Sequence, residues 1–332
     1  MKRRFLITAT MVAILALAAG VSQVATQGQA PKAKRPPTTA AEFDAMFKDN
    51  NNWGRWGKDD RLGTLNLITD AKRKQAASLV KNGISVSLEH DLSTEEAPDN
   101  PNPLKLQMGP TFRTDTVTFS YHGTYVTHFD ALCHQMYHDK MYNDVPISAN
   151  NEKGCANGVE HYKSGIVTRG ILVDIPRLRG IPWMEPADVV YPEEIEAWEK
   201  KAGVKIGAGD AVIIRTGRWA RRAKLGPWRA LGNSAGLHAS VLPLIHQRDV
   251  AILGGDTTAD VQSEPRLVEG EAGRMPYHTA IAWLGMPLID DFDPEALAET
   301  AARLNRWEFM FVVAPLAVPG GTGGPVNPLA IF

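Results

Sequence analysis

Along this chain the spacing of hydrophobic positions changes from one stretch to the next, and each change marks an element. Ile84–Leu92 (ISVSLEHDL) alternates with the period of two expected of a strand, and Thr116–Ser120 is strand-like as well. Gly165–Pro176, Gly209–Gly217 and Asp249–Asp256 are short apolar runs closed by Gly, Pro or Asp. Such runs suit strands covered on both faces. Trp307–Pro315 predicts the last strand, and the tail Gly320–Pro328 predicts loop. Thr69–Lys81 carries apolar residues at helical spacing, and Pro192–Ala202 and Leu297–Arg306 also read as helices. Thr39–Phe47 opens like a helix, with Thr39 and Glu42 spaced as a capping box. Residues 93–110, rich in Pro, Asn and Asp, predict a long loop. Strands and helices are therefore intermixed, which predicts a layered α/β (α+β) fold in a single domain.

The ends bound that domain. Lys2-Arg3-Arg4, an apolar run from Phe5 to Ala19 and a small-residue exit form the pattern of a secretory signal peptide. The run is shorter than the roughly 20 residues of a spanning helix, although an uncleaved anchor stays open. The expected layout is a signal and the start of a linker over 1–30, a Pro-rich linker over 31–40 and the globular domain over 41–332. Export to the periplasm follows from that layout, with no stable membrane partner once the signal is cleaved. Hydrophobic residues make up 44% of the chain and the formal net charge is −1. This near-neutral balance argues against a nucleic-acid partner. The basic run Arg218–Lys224 predicts a solvated helix face. Gly320–Gly324 has no helix after it, so it fails the context test for a nucleotide loop.

The chemistry concentrates in His122–Asn143 (HGTYVTHFDALCHQMYHDKMYN), which holds four of the nine histidines. If residues 127–131 are extended, His128 and Asp130 point to one face. Imidazole and carboxylate ligands suit Zn²⁺, Mn²⁺ or Fe²⁺. Cys133 and Cys155 either form one disulfide or leave Cys133 as a buried thiol beside the site. The tryptophans of Asn51–Asp60, Trp53 and Trp56, either plug the core or wall a flat substrate. Tyr142 and Asn143 either orient a substrate or cap a turn. Asp256, after Gly-Gly at a strand end, either supports the site or forms a turn, and Asp210 and Arg215 flank a buried strand where they could pair.

Thr127-His128-Phe129-Asp130-Ala131-Leu132-Cys133-His134, then Met141-Tyr142-Asn143, then GDAVIIRTG from Gly209, resemble the cyclase family, which includes bacterial kynurenine formamidase and isatin hydrolase. Asn52–Gly57, Gly63–Asn66, Arg169–Asp174, Ala235–His238 and Gly255–Thr258 extend the likeness across the mature chain in order and spacing. The resemblance implies a swivelling β/β/α-type fold and a homodimer or homotetramer. It also implies hydrolysis of an amide bond in a small cyclic or N-acyl compound, isatin-like or N-formylkynurenine-like. The family pattern His-x-Gly-Thr-His-x-Asp-x-Pro-x-His places ligands at His128, Asp130 and His134. Two departures stand out: Thr124 occupies the position of the first His, and Leu132 that of the Pro. The missing ligand favours one metal over two, and His122 could replace it only in a changed register.

Downstream the resemblance implies a further His and an acid, met here by His278 and by Asp290, with Asp291 as competitor. The expected site is therefore a divalent ion, Zn²⁺ or Mn²⁺, on His128, Asp130, His134 and Asp290. The ion would acidify its water and polarise the substrate carbonyl. His138 is expected as a proton shuttle, against the plain alternative of a surface histidine, and His278 as a second catalytic group. Trp53, Trp56 and Tyr142 are the expected substrate contacts. Competing readings are an esterase or lactonase of dienelactone type using the same site, and a periplasmic binding protein whose site has lost catalysis.

Overall fold

The computed structural model describes residues 35–270 and 275–332. The expected signal and residues 31–34 of the linker fall outside them. Among the described residues no helix is long and apolar enough to cross a membrane.

One nine-stranded sheet runs through the molecule. Its strands are β1 Ser85–Ser87, β2 His128–Asp130, β3 Ile166–Asp174, β4 Ala211–Arg215, β5 Ile252–Gly255, β6 Leu288–Asp290, β7 Glu308–Val313, β8 Gly323–Pro325 and β9 Leu329–Ile331. They lie side by side in the order β1-β9-β7-β3-β4-β5-β6-β2-β8. The central four, β3 to β6, are parallel, and the strands flanking them on both sides are antiparallel. Parallel strands need cover on both faces, and the sequence shows it: every residue of β4 and of β5 is buried.

The helices are α1 Ala40–Asp49, α2 Asp70–Ala77, α3 Ile175–Arg179, α4 Pro192–Ala202, α5 Arg218–Leu225, α6 Leu242–Gln247, α7 Pro276–Leu284 and α8 Glu295–Leu304. The Thr39–Glu42 capping box forms as the sequence predicts. All nine residues of α7 are buried, His278 among them.

Four expectations need correction. The tail is not loop: Gly323–Pro325 and Leu329–Ile331 are strands, so Trp307–Pro315 does not supply the last one. The stretch 93–110 contains Lys105–Met108, which pairs with Asp115–Thr118 in an exposed hairpin. Asp210 and Arg215 do not meet, because five residues of extended chain separate them by roughly 16 Å. Asp210 instead takes Arg169 at 2.6 Å and also Lys72, while Arg215 takes Asp174 at 2.9 Å and Glu295 at 2.6 Å. Nor is the basic run wholly solvated. Arg218, its first residue, is 2% exposed and ion-paired with Asp291.

Candidate metal centre

The antiparallel pairing of β2 with β6 sets Asp290 opposite His128. Residues paired in this way share a face, and Asp130, two residues along β2, shares it too. On the other side of β2 lies β8, with Gly323 opposite Asp130 and Pro325 opposite His128. The close fit there requires glycine, since a Cβ on residue 323 would collide with the Phe129 carbonyl. His278 enters from α7, and His122 and His134 come from the turns on either side of β2.

Asp130 is the centre. Its Oδ1 lies 3.3 Å from His122 Nδ1, 3.7 Å from His128 Nε2 and 3.9 Å from His134 Nε2. Its Oδ2 lies 3.3 Å from His278 Nε2, which in turn is 2.9 Å from Asp290 Oδ2. Two sets of three residues, His122–Asp130–His134 and His128–Asp130–Asp290, each bring ligand atoms within 4.8 Å of one another. Asp130 belongs to both. Its side chain is fully buried, whereas His122 and His134 keep 32% and 19% of theirs exposed, so they form the open side of the cluster.

Charge and hydrogen bonding show why this arrangement fits a cation. Both carboxylate oxygens of Asp130 and Oδ1 of Asp290 are buried without a hydrogen-bond partner. Such groups are costly unless something positive meets them. His128 Nδ1 faces the Val126 carbonyl at 2.7 Å. A carbonyl only accepts, so Nδ1 carries the proton, and a neutral His128 turns a bare lone pair toward the equally bare Asp130. A divalent ion between them resolves the conflict. Burial pushes His134 down to about 4, which keeps it neutral and able to ligate. Burial likewise opposes a charged His278, yet the surrounding carboxylates Asp290, Asp130 and Asp260 hold it well above the ordinary range.

Asp260 is a member that sequence reasoning did not find. Its Oδ2 accepts from His278 Nδ1 at 2.6 Å and its Oδ1 from the Tyr277 N–H at 2.7 Å. This leaves His278 Nε2 pointing at Asp130 and Asp290, its direction set by the carboxylate on the other ring nitrogen. The only sequence signal was a lone acid at the end of Gly255–Asp260, indistinguishable from a turn former.

The remaining predicted residues sort as follows. His122 joins the cluster, stacked on His134 with ring centres 4.2 Å apart. Thr124, where the motif expects a histidine, turns away: its hydroxyl donates to the Asp99 carbonyl at 3.1 Å, and its own carbonyl accepts from Arg218. Asp290, not Asp291, faces the site, because adjacent residues point to opposite sides. His138 does not reach the site. It lies on the surface with 62% of its side chain exposed, 3.3 Å from Asp44.

Trp53, Trp56 and Tyr142 do not line the cluster. Trp53 Nε1 donates to the Ala282 carbonyl at 2.7 Å, while the Asn52 backbone and side chain take the carbonyls of Trp283 and Leu284, each at 2.9 Å. The loop thus satisfies the free carbonyls at the end of α7. Trp56 lies under Arg55, and Tyr142 is buried with its hydroxyl on Asp60 at 3.0 Å. Asp256 accepts the N–H groups of Thr216, Gly217 and Arg218 at 2.7–3.0 Å, anchoring the start of α5 and not a ligand. Cys133 and Cys155 are joined as a disulfide.

A mixed sheet whose central strands are parallel, carrying a buried carboxylate ringed by imidazoles at one flank, defines an α/β protein with a candidate cation site. The chain belongs to the Cyclase family, whose model, described as "Putative cyclase", matches residues 80–260. A crystal structure described as a novel cyclase is 28% identical, with a TM-score of 0.74 over 85% of this chain and 99% of that one. Isatin hydrolase A from Ralstonia solanacearum shares the fold at 22% identity and a TM-score of 0.51, over 74% of this chain and 91% of that one. An isatin hydrolase bound to the product analogue thioisatinate does so at 17% identity and 0.52, over 80% and 98%. No curated protein sequence matches this chain. His278 and Asp290 fall beyond the span of the family match, and the structure brings them beside Asp130 and His128.

Proposed function

We propose that this protein is a divalent-cation-dependent hydrolase of an amide bond in a small cyclic or N-acyl compound, of the isatin or N-formylkynurenine kind. One observation carries the reading: the buried Asp130 carboxylate has no hydrogen-bond partner on either oxygen, yet four imidazoles converge on it. The fold shared with isatin hydrolases supports the substrate class. Bound there, Zn²⁺ or Mn²⁺ supplies Lewis acidity toward a carbonyl and toward water.

The chain's own residues do the rest. Val126 holds the His128 ring so that Nε2 faces inward, and the ladder between β2 and β6 keeps Asp290 in step with it. Asp260 aims His278 Nε2 at the same point, which places that nitrogen to carry a proton between water and the leaving group. The partly exposed His122 and His134 mark the side from which substrate enters. The leader pattern and the disulfide together support action outside the cytoplasm, as a homodimer or homotetramer.

The experiment is metal analysis of the purified protein followed by assay on isatin and N-formylkynurenine, with and without a chelator. The expected result is a stoichiometric divalent ion, turnover of an amide, and loss of turnover on chelation. A metal-loaded protein that hydrolyses no amide or imide overturns the reading, and one that hydrolyses only lactones or esters moves it to that class.

A further inference from the structure

His122 and His134 stand outside the strand ladder, and a single bridge reaches both. Cys133, the residue before His134, is bonded to Cys155 across a sequence separation of 22, with Cα atoms 6.1 Å apart. Both cysteines are buried, and their sulfurs lie 3.9 and 3.7 Å from the Gly321 carbonyl oxygen. The Cys155 N–H donates to the Gly320 carbonyl at 3.0 Å, and the Val159 N–H to the Gly321 carbonyl at 2.8 Å. The bridge and its loop therefore wall one side of Gly320–Gly321.

The next residue of the tail touches the cluster. The Thr322 carbonyl accepts from the Ala131 N–H at 2.9 Å, and its Oγ1 lies 3.0 Å from His122 Nε2. With Nε2 on that hydroxyl, Nδ1 is the nitrogen that turns to Asp130 at 3.3 Å. A partner on the outer nitrogen of an imidazole fixes both ring orientation and ligand basicity. Covalent and hydrogen-bonded links thus run from the disulfide through Gly320–Thr322 to His122, and directly along the chain to His134.

We propose that the Cys133–Cys155 bridge, acting through Thr322, is a redox-sensitive brace that sets how tightly the open side of the cluster holds its cation. This rests on the metal reading above. Reduction by a dithiol transfers two electrons and two protons: the S–S bond breaks, Cys133 and Cys155 become thiols, and the dithiol closes to its own disulfide. The segment carrying His134 then loses its covalent tie to the loop at Cys155, and Thr322 loses a wall that holds it against His122. His128, Asp130 and Asp290 keep their strand pairing, so the ion loses affinity while the fold stands.

The test measures Mn²⁺ binding to the full chain by the electron paramagnetic resonance of the free ion. Mn²⁺ is the probe because it favours oxygen and imidazole over thiolate. Oxidised protein is compared with protein reduced by a dithiol and then freed of it, with circular dichroism to verify the fold. Affinity is expected to fall about ten- to hundredfold on reduction, the range for groups that orient ligands, and to return on reoxidation. Thr322→Val, with the bridge intact, is expected to weaken Mn²⁺ about tenfold.

Equal affinity in the oxidised and reduced folded protein overturns the brace, even if reduction lowers the melting temperature. If reduction unfolds the chain, Thr322→Val decides, and unchanged affinity in that variant overturns it. Oxidised wild-type protein that binds no Mn²⁺ or Zn²⁺ overturns the cation reading itself together with the brace.

Discussion

The two sides of the cluster are built by different means. His128, Asp130 and Asp290 stand on neighbouring strands, where backbone pairing fixes register and alternation fixes direction. His122 and His134 stand on turns, where nothing local decides which way a ring points. Each borrows its orientation from chain far away in sequence: Thr322 for His122, and the bridge to Cys155 for the segment of His134. Ligands in a ladder are positioned by the fold as a whole, whereas ligands on turns need partners that can be removed one at a time.

That contrast can be broken at several points. Asp130→Asn keeps the shape and removes the charge common to both ligand sets. It should abolish stoichiometric metal binding and lower kcat/KM about a thousandfold, the several kcal/mol an ion contributes. Metal retained by this variant would place the ion elsewhere. Asp260→Asn acts one step back, through His278, and is expected to cost about ten- to hundredfold in metal affinity or activity. A loss confined to thermal stability would reduce Asp260 to packing.

On the turn side, His122→Ala should weaken metal about tenfold, and adding Thr124→His should not restore it. Residue 124 faces Asp99 and not the cluster, so rescue in a titration of the double variant would refute this register. Beneath β2, Glu89 accepts the Thr127 N–H at 3.0 Å, and burial pushes its carboxyl up to about 7 from 4.5. The folded state therefore binds the extra proton between these values, and this group's contribution to stability declines as pH rises from about 4.5 to about 7. Glu89→Gln cannot ionise. Its urea midpoint relative to wild type should rise across that window, and a constant difference would show that Glu89 does not titrate there. The smallest effect is expected at His138→Ala, which should leave kcat and KM unchanged. A fall in kcat would bring the surface histidine back as a shuttle.

The same contrast governs what could be read from the sequence. The parallel strands β3, β4 and β5 were legible because apolar runs closed by Gly, Pro or Asp suit a strand covered on both faces and no exposed element. His128 and Asp130 were legible because alternation along three residues suffices to put them on one face. His122 was not, since motif spacing points at Thr124, and only folding shows Arg218 and Asp99 drawing that residue away. Asp260 becomes a partner of His278 only once α7 packs against its loop. Trp53 illustrates the reverse error: an indole in a Gly- and Asn-rich loop suggests a substrate wall, but its N–H closes the end of α7. The strand at Gly323–Pro325 was hidden because glycine has little strand preference, although at residue 323 it is what lets the backbone approach Phe129.

That late strand also bears on how the molecule comes into being. β8 completes the edge next to His128 and Asp130, and β9 slots between β1 and β7 at the opposite side of the sheet. During synthesis the histidines and Asp130 emerge long before the residues that flank them, and contacts across such separations form slowly because loop closure must precede them. Assembly of the cation site is therefore a closing event of folding, and a chain halted before Gly323 would carry every ligand without the frame that gathers them.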